Sequence, residues 1–75
     1  SRANMRRLRA RLGAVERENS ELHEELDALF SALSDPETAA DYLKVTQITE
    51  RIEEIKAKIE EREGEWLGLA ELLEE

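Results

Sequence analysis

The sequence is poor in the residues that build covalent and membrane-spanning structures. Its 75 residues include no cysteine, one proline, one histidine, and one each of Trp, Tyr and Phe. The lack of cysteine excludes disulfides and thiolate metal sites. No apolar run approaches the roughly 20 residues that a membrane-spanning helix needs. We therefore expect a cytoplasmic chain with no membrane partner.

Catalysis also lacks its usual side chains. The single histidine, His23, has no second histidine and no thiol as a catalytic partner. The three glycines are too isolated to form a phosphate-binding loop. Neighbouring carboxylates such as Glu53 and Glu54 are typical of a solvated helix face. We predict no catalytic residue, no metal site and no cofactor in this chain.

The chain is rich in charged side chains and carries a regular apolar stripe. Charged and hydrophobic residues each make up 40% of it. From Met5 onward, apolar residues recur in the alternating short steps of a coiled-coil heptad. The a positions are Met5, Leu12, Asn19, Leu26 and Leu33, and the d positions are Leu8, Val15, Leu22 and Leu29. Asn19 alone interrupts this first stripe.

A proline separates this stripe from a second one. Pro36 cannot continue the helical hydrogen bonds, and Asp35 before it avoids helical backbone angles. The same Asp-Pro pair can open a new helical turn. The second stripe has a positions at Val45, Ile52, Ile59, Trp66 and Leu73, and d positions at Ile48, Ile55, Arg62 and Leu69. We predict helix 1 over about 5–33, a turn over 34–41 and helix 2 over about 42–74.

Two stripes of equal length predict a hairpin. When the two helices run in opposite directions, the a positions of one face the d positions of the other. In this arrangement Asn19 lies opposite Arg62, and Val15 lies opposite Trp66. Asn19 and Arg62 then form one structural polar layer. Trp66 packs against the smaller Val15, and we predict that Trp66 is a core anchor. The predicted fold is all-α: a two-helix antiparallel coiled-coil hairpin that forms a single domain over residues 1–75.

Asn19 leaves a second arrangement open. A buried Asn at an a position also sets the register of parallel dimeric zippers. A homodimer, formed either by such a zipper or by two hairpins in a four-helix bundle, is therefore the alternative to the lone hairpin.

Charge is divided unevenly along the chain. The chain has 11 basic and 19 acidic residues. Residues 1–17 contain six basic residues and one acidic residue, for a net charge of +5. Residues 18–75 contain five basic and eighteen acidic residues, for a net charge of −13. The hairpin would bring the basic start against acidic residues near the end, so we expect much of the split to be internal pairing. The residues expected there are Arg6, Arg7, Arg9 and Arg11 with Glu71, Glu74 and Glu75.

The basic residues of the first segment are all arginines. Clustered arginines along a helix are typical of proteins that bind phosphate backbones. We interpret this arginine cluster as a candidate nucleic-acid-binding surface, and a solvated face beside acidic neighbours as the alternative. The cluster consists of Arg2, Arg6, Arg7, Arg9, Arg11 and Arg17.

The turn and the second helix carry a combination of motifs. Asp35-Pro36 is followed by Tyr42 and later by Trp66, with Leu69 soon after it. Over residues 33–75 this resembles the C-terminal coiled-coil domain of ABC-F ATPases, the Uup-like group, whereas residues 5–32 match only as heptads. The N-terminal domain of bacterial peptide-chain release factors has a similar turn, but the Trp-x-x-Leu ending favours the ABC-F domain. Glu65 departs from that family, which usually has Arg there.

The resemblance implies a place in a larger protein. The parent would be a tandem ATPase without membrane segments that acts on ribosomes or nucleic acid, for example in translation, with ATP and Mg²⁺ held by its other domains. We therefore predict a non-catalytic C-terminal arm that contacts DNA, RNA or the ribosome. The competing hypothesis is a purely structural, dimerising coiled coil with no nucleic-acid role.

Overall fold

Helices make up almost all of the structure, a computed structural model that describes residues 1–74. Helix α1 spans Arg2–Leu33, α2 spans Pro36–Ala39 and α3 spans Tyr42–Glu74, and this part of the chain contains no strand. The all-α prediction is confirmed. The molecule measures 56 × 14 × 14 Å, which fits a helical hairpin. Helix α1 begins earlier than predicted, because Ser1 caps it by accepting a hydrogen bond from the Asn4 N–H at 3.2 Å.

The connection between the long helices is itself partly helical. Helix α1 ends at Leu33, and the Ser34 hydroxyl donates a hydrogen bond to the Phe30 carbonyl at 3.2 Å. Asp35 then caps α2 by accepting a hydrogen bond from the Glu37 N–H at 3.2 Å, with Pro36 as the first helical residue. Asp41 accepts from the Lys44 N–H at 3.2 Å as α3 begins. Asp-Pro thus stops one helix and starts the next.

The core lies in the middle of the rod. Its buried side chains are Val15 on α1 and Ile52, Ile55 and Ile59 on α3, and all of them occupy predicted a or d positions. Val15 and Ile55 have no exposed surface. Other stripe residues, such as Met5 and Leu73 toward the ends, are only half-buried. Burial is therefore concentrated in a short central segment of the stripe.

Side-chain pairs between α1 and α3 give the relative direction of the two helices. Arg11 pairs with Glu65, Glu18 with Arg62, and Glu25 with Arg51. The residue numbers fall along α3 as they rise along α1. The long helices therefore lie side by side and run in opposite directions, as a hairpin requires.

Candidate nucleic-acid interface

All six members of the arginine cluster lie on α1 with exposed side chains. Within residues 1–74, only Arg11 among them forms an ion pair with a carboxylate. The other five guanidinium groups have no acidic partner in that part of the chain. These five are Arg2, Arg6, Arg7, Arg9 and Arg17. The cluster is therefore mostly available to an external anion.

Three of these arginines share one surface depression. Arg2, Arg6 and Arg9 line it together with Ser1 and Met5, and its described lining contains no carboxylate. Successive members are separated by about one helical turn, so they project from the same face of α1. The depression presents three positive charges around a half-buried methionine. A phosphate group is the kind of ligand that such an arrangement attracts.

Arg11 is engaged differently from the rest of the cluster. Its Nε donates to Glu65 Oε2 at 2.6 Å and its Nη2 to Glu65 Oε1 at 2.8 Å, while Glu18 lies 3.5 Å away. These hydrogen bonds hold the pKa of Glu65 below its ordinary value and raise the pKa of Arg11. Arg11 is consequently less available to a phosphate than the other five arginines.

The expected pairing of the cluster with the acidic end is not found. Among the described residues, Glu71 and Glu74 form no ion pair with Arg6, Arg7 or Arg9, and Glu75 lies outside that range. Arg11 does pair with an acidic residue of α3, but that residue is Glu65. The prediction of extensive internal pairing is thus wrong for Arg6, Arg7 and Arg9 with Glu71 and Glu74, because these side chains are too far apart for an ion pair.

The predicted polar layer brings Asn19 and Arg62 to the same place, without a hydrogen bond between them. Both line a cavity of about 210 Å³ between α1 and α3. Arg62 Nε lies 3.3 Å from Glu18 Oε2, although the angle is too poor for a hydrogen bond, and Asn19 Oδ1 is buried with no partner within the described chain. The charge of Arg62 is thus offset by Glu18, a residue the heptad analysis did not single out.

Trp66 is not the core anchor that its heptad position predicted. It is 39% exposed, and its indole N–H donates to Glu16 Oε1 at 3.3 Å. The interface between α1 and α3, called the seam below, is formed by only two helices. It covers one side of the large indole ring and leaves the other side open to water. Trp66 therefore lines the cavity beside Val15, which is itself fully buried.

The flank next to Arg51 holds a second ion-pair group that sequence reasoning missed. Arg51 donates to both carboxylate oxygens of Glu25, at 2.8 and 3.1 Å for Nη2, and also to Glu54 at 3.1 Å. The hydrogen bonding of Arg51 to the Glu25 carboxylate is the main reason that the pKa of Arg51 is raised. Arg11, Glu25, Arg51 and Glu65 all occupy heptad g positions, which flank the seam. A search for opposite charges at facing g positions would have found both pairs.

Comparison with known families decides which kind of domain this is. The family model of the ABC transporter C-terminal domain matches residues 4–71. The chain belongs to this family. The match extends the resemblance seen over residues 33–75 through most of α1 and confirms it. No curated protein and no solved structure matches the chain.

As a C-terminal accessory domain of ABC proteins, the chain has no catalysis of its own. No helix within residues 1–74 is long and apolar enough to cross a membrane. The described residues also contain no group of three or more acidic or histidine side chains placed to hold a metal ion. The arginine-lined depression and the cavity between the long helices are two of the concave features on the described part of this ABC C-terminal domain.

Proposed function

We propose that this domain is the contact arm of a cytoplasmic ABC-F-type ATPase and binds the phosphate backbone of a nucleic acid, on the ribosome or elsewhere, through its arginine cluster. The observation that carries the proposal is the depression lined by Arg2, Arg6 and Arg9, whose lining contains no carboxylate from residues 1–74. Arginine binds phosphate oxygens through several N–H donors at once. ATP and Mg²⁺ would be bound by other domains of the parent ATPase.

The charge distribution restricts the contact to one end of the rod. Residues 18–75 carry a net charge of −13, from five basic and eighteen acidic groups, and they repel a polyanion. Residues 1–17 carry six basic groups and one acidic group, for +5. A nucleic acid would therefore approach the arginine cluster and avoid the acidic part of α3.

A rigid rod suits such an arm. We propose that α1 and α3 pack as an antiparallel coiled coil, an arrangement supported by the a and d positions of Val15, Ile52, Ile55 and Ile59 in the core. Such a coil would hold the arginine cluster at a constant distance from the turn around Asp35. The parent ATPase could then transmit movement of one end to the other.

A salt series tests phosphate binding. The logarithm of the association constant should fall linearly with the logarithm of salt concentration, for a ribosomal RNA fragment and for duplex DNA. Replacing Arg2, Arg6 and Arg9 by Gln should lower the magnitude of that slope by about 2–3 units, since each phosphate contact contributes about 0.7–0.9. Fluorescence anisotropy measures both quantities.

The matched control removes the same charge elsewhere. Lys44, Lys56 and Lys58 are exposed residues of α3 outside the cluster, and their replacement by Gln should leave the slope unchanged. If neither RNA nor DNA shows salt-dependent binding, or if both triple variants lower the slope equally, the arginine cluster is not a nucleic-acid interface.

Exposed apolar side chains favour self-association as the second candidate function. Tyr42 is 85% exposed and Leu43 65% exposed beside the turn, while Leu67 is 57% exposed and Leu72 49% exposed near the other end. Two hairpins could cover these residues in a four-helix bundle. Sedimentation equilibrium separates the possibilities, because a dimer in the absence of nucleic acid supports the structural role and a monomer over the micromolar range opposes it.

A further inference from the structure

The cavity between the long helices combines an aromatic wall with unpaired hydrogen-bond acceptors. It measures about 210 Å³ and is lined by Val15, Glu16, Asn19, Arg62, Glu63 and Trp66. Val15 is fully buried, and Trp66 leaves 39% of its surface open. A water molecule occupies about 30 Å³ of liquid, so the space holds several waters or the end of one long side chain.

The cavity lining contains unpaired acceptors together with one buried donor that makes no hydrogen bond within residues 1–74, Arg62 Nε, which lies 3.3 Å from Glu18 Oε2. Asn19 Oδ1 is buried and has no hydrogen-bond partner among the described residues, and an unpaired buried acceptor is unfavourable. Glu16 accepts the Trp66 indole N–H through Oε1 alone, which leaves Oε2 without a donor in that range. A ligand that supplies several N–H groups would satisfy these oxygens.

The charges around the cavity favour a cation. Within residues 1–74, neither Glu16 nor Glu63 forms an ion pair, whereas Arg62 lies 3.3 Å from Glu18 and 3.9 Å from Glu61, both outside the cavity lining. The positive charge of Arg62 is therefore offset elsewhere. Two carboxylates on one side of the seam are left without a counter-charge.

We propose that this cavity binds an arginine side chain of a protein partner. A guanidinium group would stack on the face of Trp66 as a cation–π contact, pair with Glu16 and Glu63, and donate to Asn19 Oδ1. Arginine suits the site better than lysine, because its planar group combines stacking with five donors. The net charge of −13 over residues 18–75, from five basic and eighteen acidic groups, also attracts a basic protein. This site shares no residue with the arginine cluster and does not depend on nucleic-acid binding.

Trp66 provides the measurement, since it is the only tryptophan. The whole chain is titrated with the capped peptide acetyl-Gly-Arg-Gly-amide, and its emission is followed. We expect a saturable change in Trp66 fluorescence. The same peptide with citrulline, which is neutral and nearly the same shape as arginine, should bind at least tenfold more weakly.

Two variants test the assignment of residues, with calorimetry as a second readout of binding. The double variant Glu16→Gln and Glu63→Gln should weaken binding at least tenfold, whereas the matched double variant Glu50→Gln and Glu60→Gln, which alters exposed residues outside the cavity, should bind like the unaltered chain. Asn19→Leu fills the cavity with the residue type that a heptad favours, so it should fold and lose binding.

Four results would overturn the proposal. One is the absence of a saturable response to the arginine peptide. The second is equal binding of the citrulline peptide, which would show that charge has no part in recognition. The third is an equal loss in both glutamate double variants, and the fourth is undiminished binding by Asn19→Leu. Either of these two would mean that the peptide binds the acidic surface in general and not this cavity.

Discussion

Arg11 and Glu65 pair through two hydrogen bonds of 2.6 and 2.8 Å, although 54 positions separate them in the sequence. The two side chains belong to different long helices, so the pair links α1 to α3 near the end that carries the arginine cluster. It also distinguishes Arg11 from the neighbouring arginines, which have no such partner within residues 1–74. Arg11 is thus a structural member of a cluster that otherwise faces solvent.

Exchanging the charges of this pair tests its contribution to stability. Arg11→Glu places two carboxylates together and should lower the melting temperature by a few degrees, and adding Glu65→Arg should restore most of the loss. The effect should shrink in high salt, because both groups are exposed to solvent. Thermal denaturation followed by circular dichroism measures it. Arg7→Glu is the control, since Arg7 has no acidic partner in the described chain, and an equal loss there would argue against a specific pair.

The same pair predicts a pH dependence. Because Arg11 holds the folded-state pKa of Glu65 below its ordinary value of 4.5, the pair stabilises the fold above pH of about 4.5 and loses its effect as pH falls through the lowered pKa. The difference in melting temperature between the unaltered chain and Glu65→Gln should therefore be largest near neutral pH and vanish in acid. A difference that stays constant with pH would contradict the assignment.

Ile55 should dominate the stability of the rod. It is fully buried in the central part of the seam, and Ile55→Ala should lower the free energy of unfolding by about 2–5 kcal/mol. Leu67→Ala is the matched control, because Leu67 is 57% exposed on the same helix and its truncation should change that energy by less than about 0.5 kcal/mol. Urea denaturation gives both values, and similar losses would mean that the core is elsewhere.

Asn19 should limit stability. Its Oδ1 is buried without a partner among residues 1–74, so Asn19→Leu removes an unsatisfied group and adds apolar surface to the seam. We expect the free energy of unfolding to rise by about 1–2 kcal/mol. Urea denaturation combined with sedimentation velocity checks the gain and shows whether the chain changes its state of association. A loss of stability would contradict the assignment of Asn19 Oδ1 as an unsatisfied acceptor.

Asp35 should contribute to the stability of the fold through the side-chain oxygen that caps α2. Asp35→Ala removes the acceptor of the Glu37 N–H and should lower the free energy of unfolding by about 0.5–2 kcal/mol. Asp35→Asn keeps an acceptor at the same place and should retain most of the stability. Equal losses in the two variants, measured by thermal denaturation, would show that the charge of Asp35 matters more than its cap.

Local features of the chain determined the helices and their boundary. Pro36 lacks the N–H that α1 would need to continue, and Asp35 offers an oxygen to the next helical turn, so the stop and restart depend only on neighbouring residues. The heptad stripe likewise determined which face of each long helix is apolar, because a helix repeats its faces at a regular interval. Val15 and Ile55 were predicted as core residues and are fully buried.

Tertiary structure decided the polar partners of individual side chains and how much of each side chain is buried. The facing positions of Asn19 and Arg62 followed from the register, but long side chains reach along and across the seam, so Arg62 lies against Glu18 and Asn19 Oδ1 has no described partner. Trp66 holds a core position in the sequence, yet it is 39% exposed, because a seam between two helices is narrower than an indole ring needs. Sequence periodicity determines which face of a helix is apolar, and only the packed neighbours determine how much of each side chain that face covers.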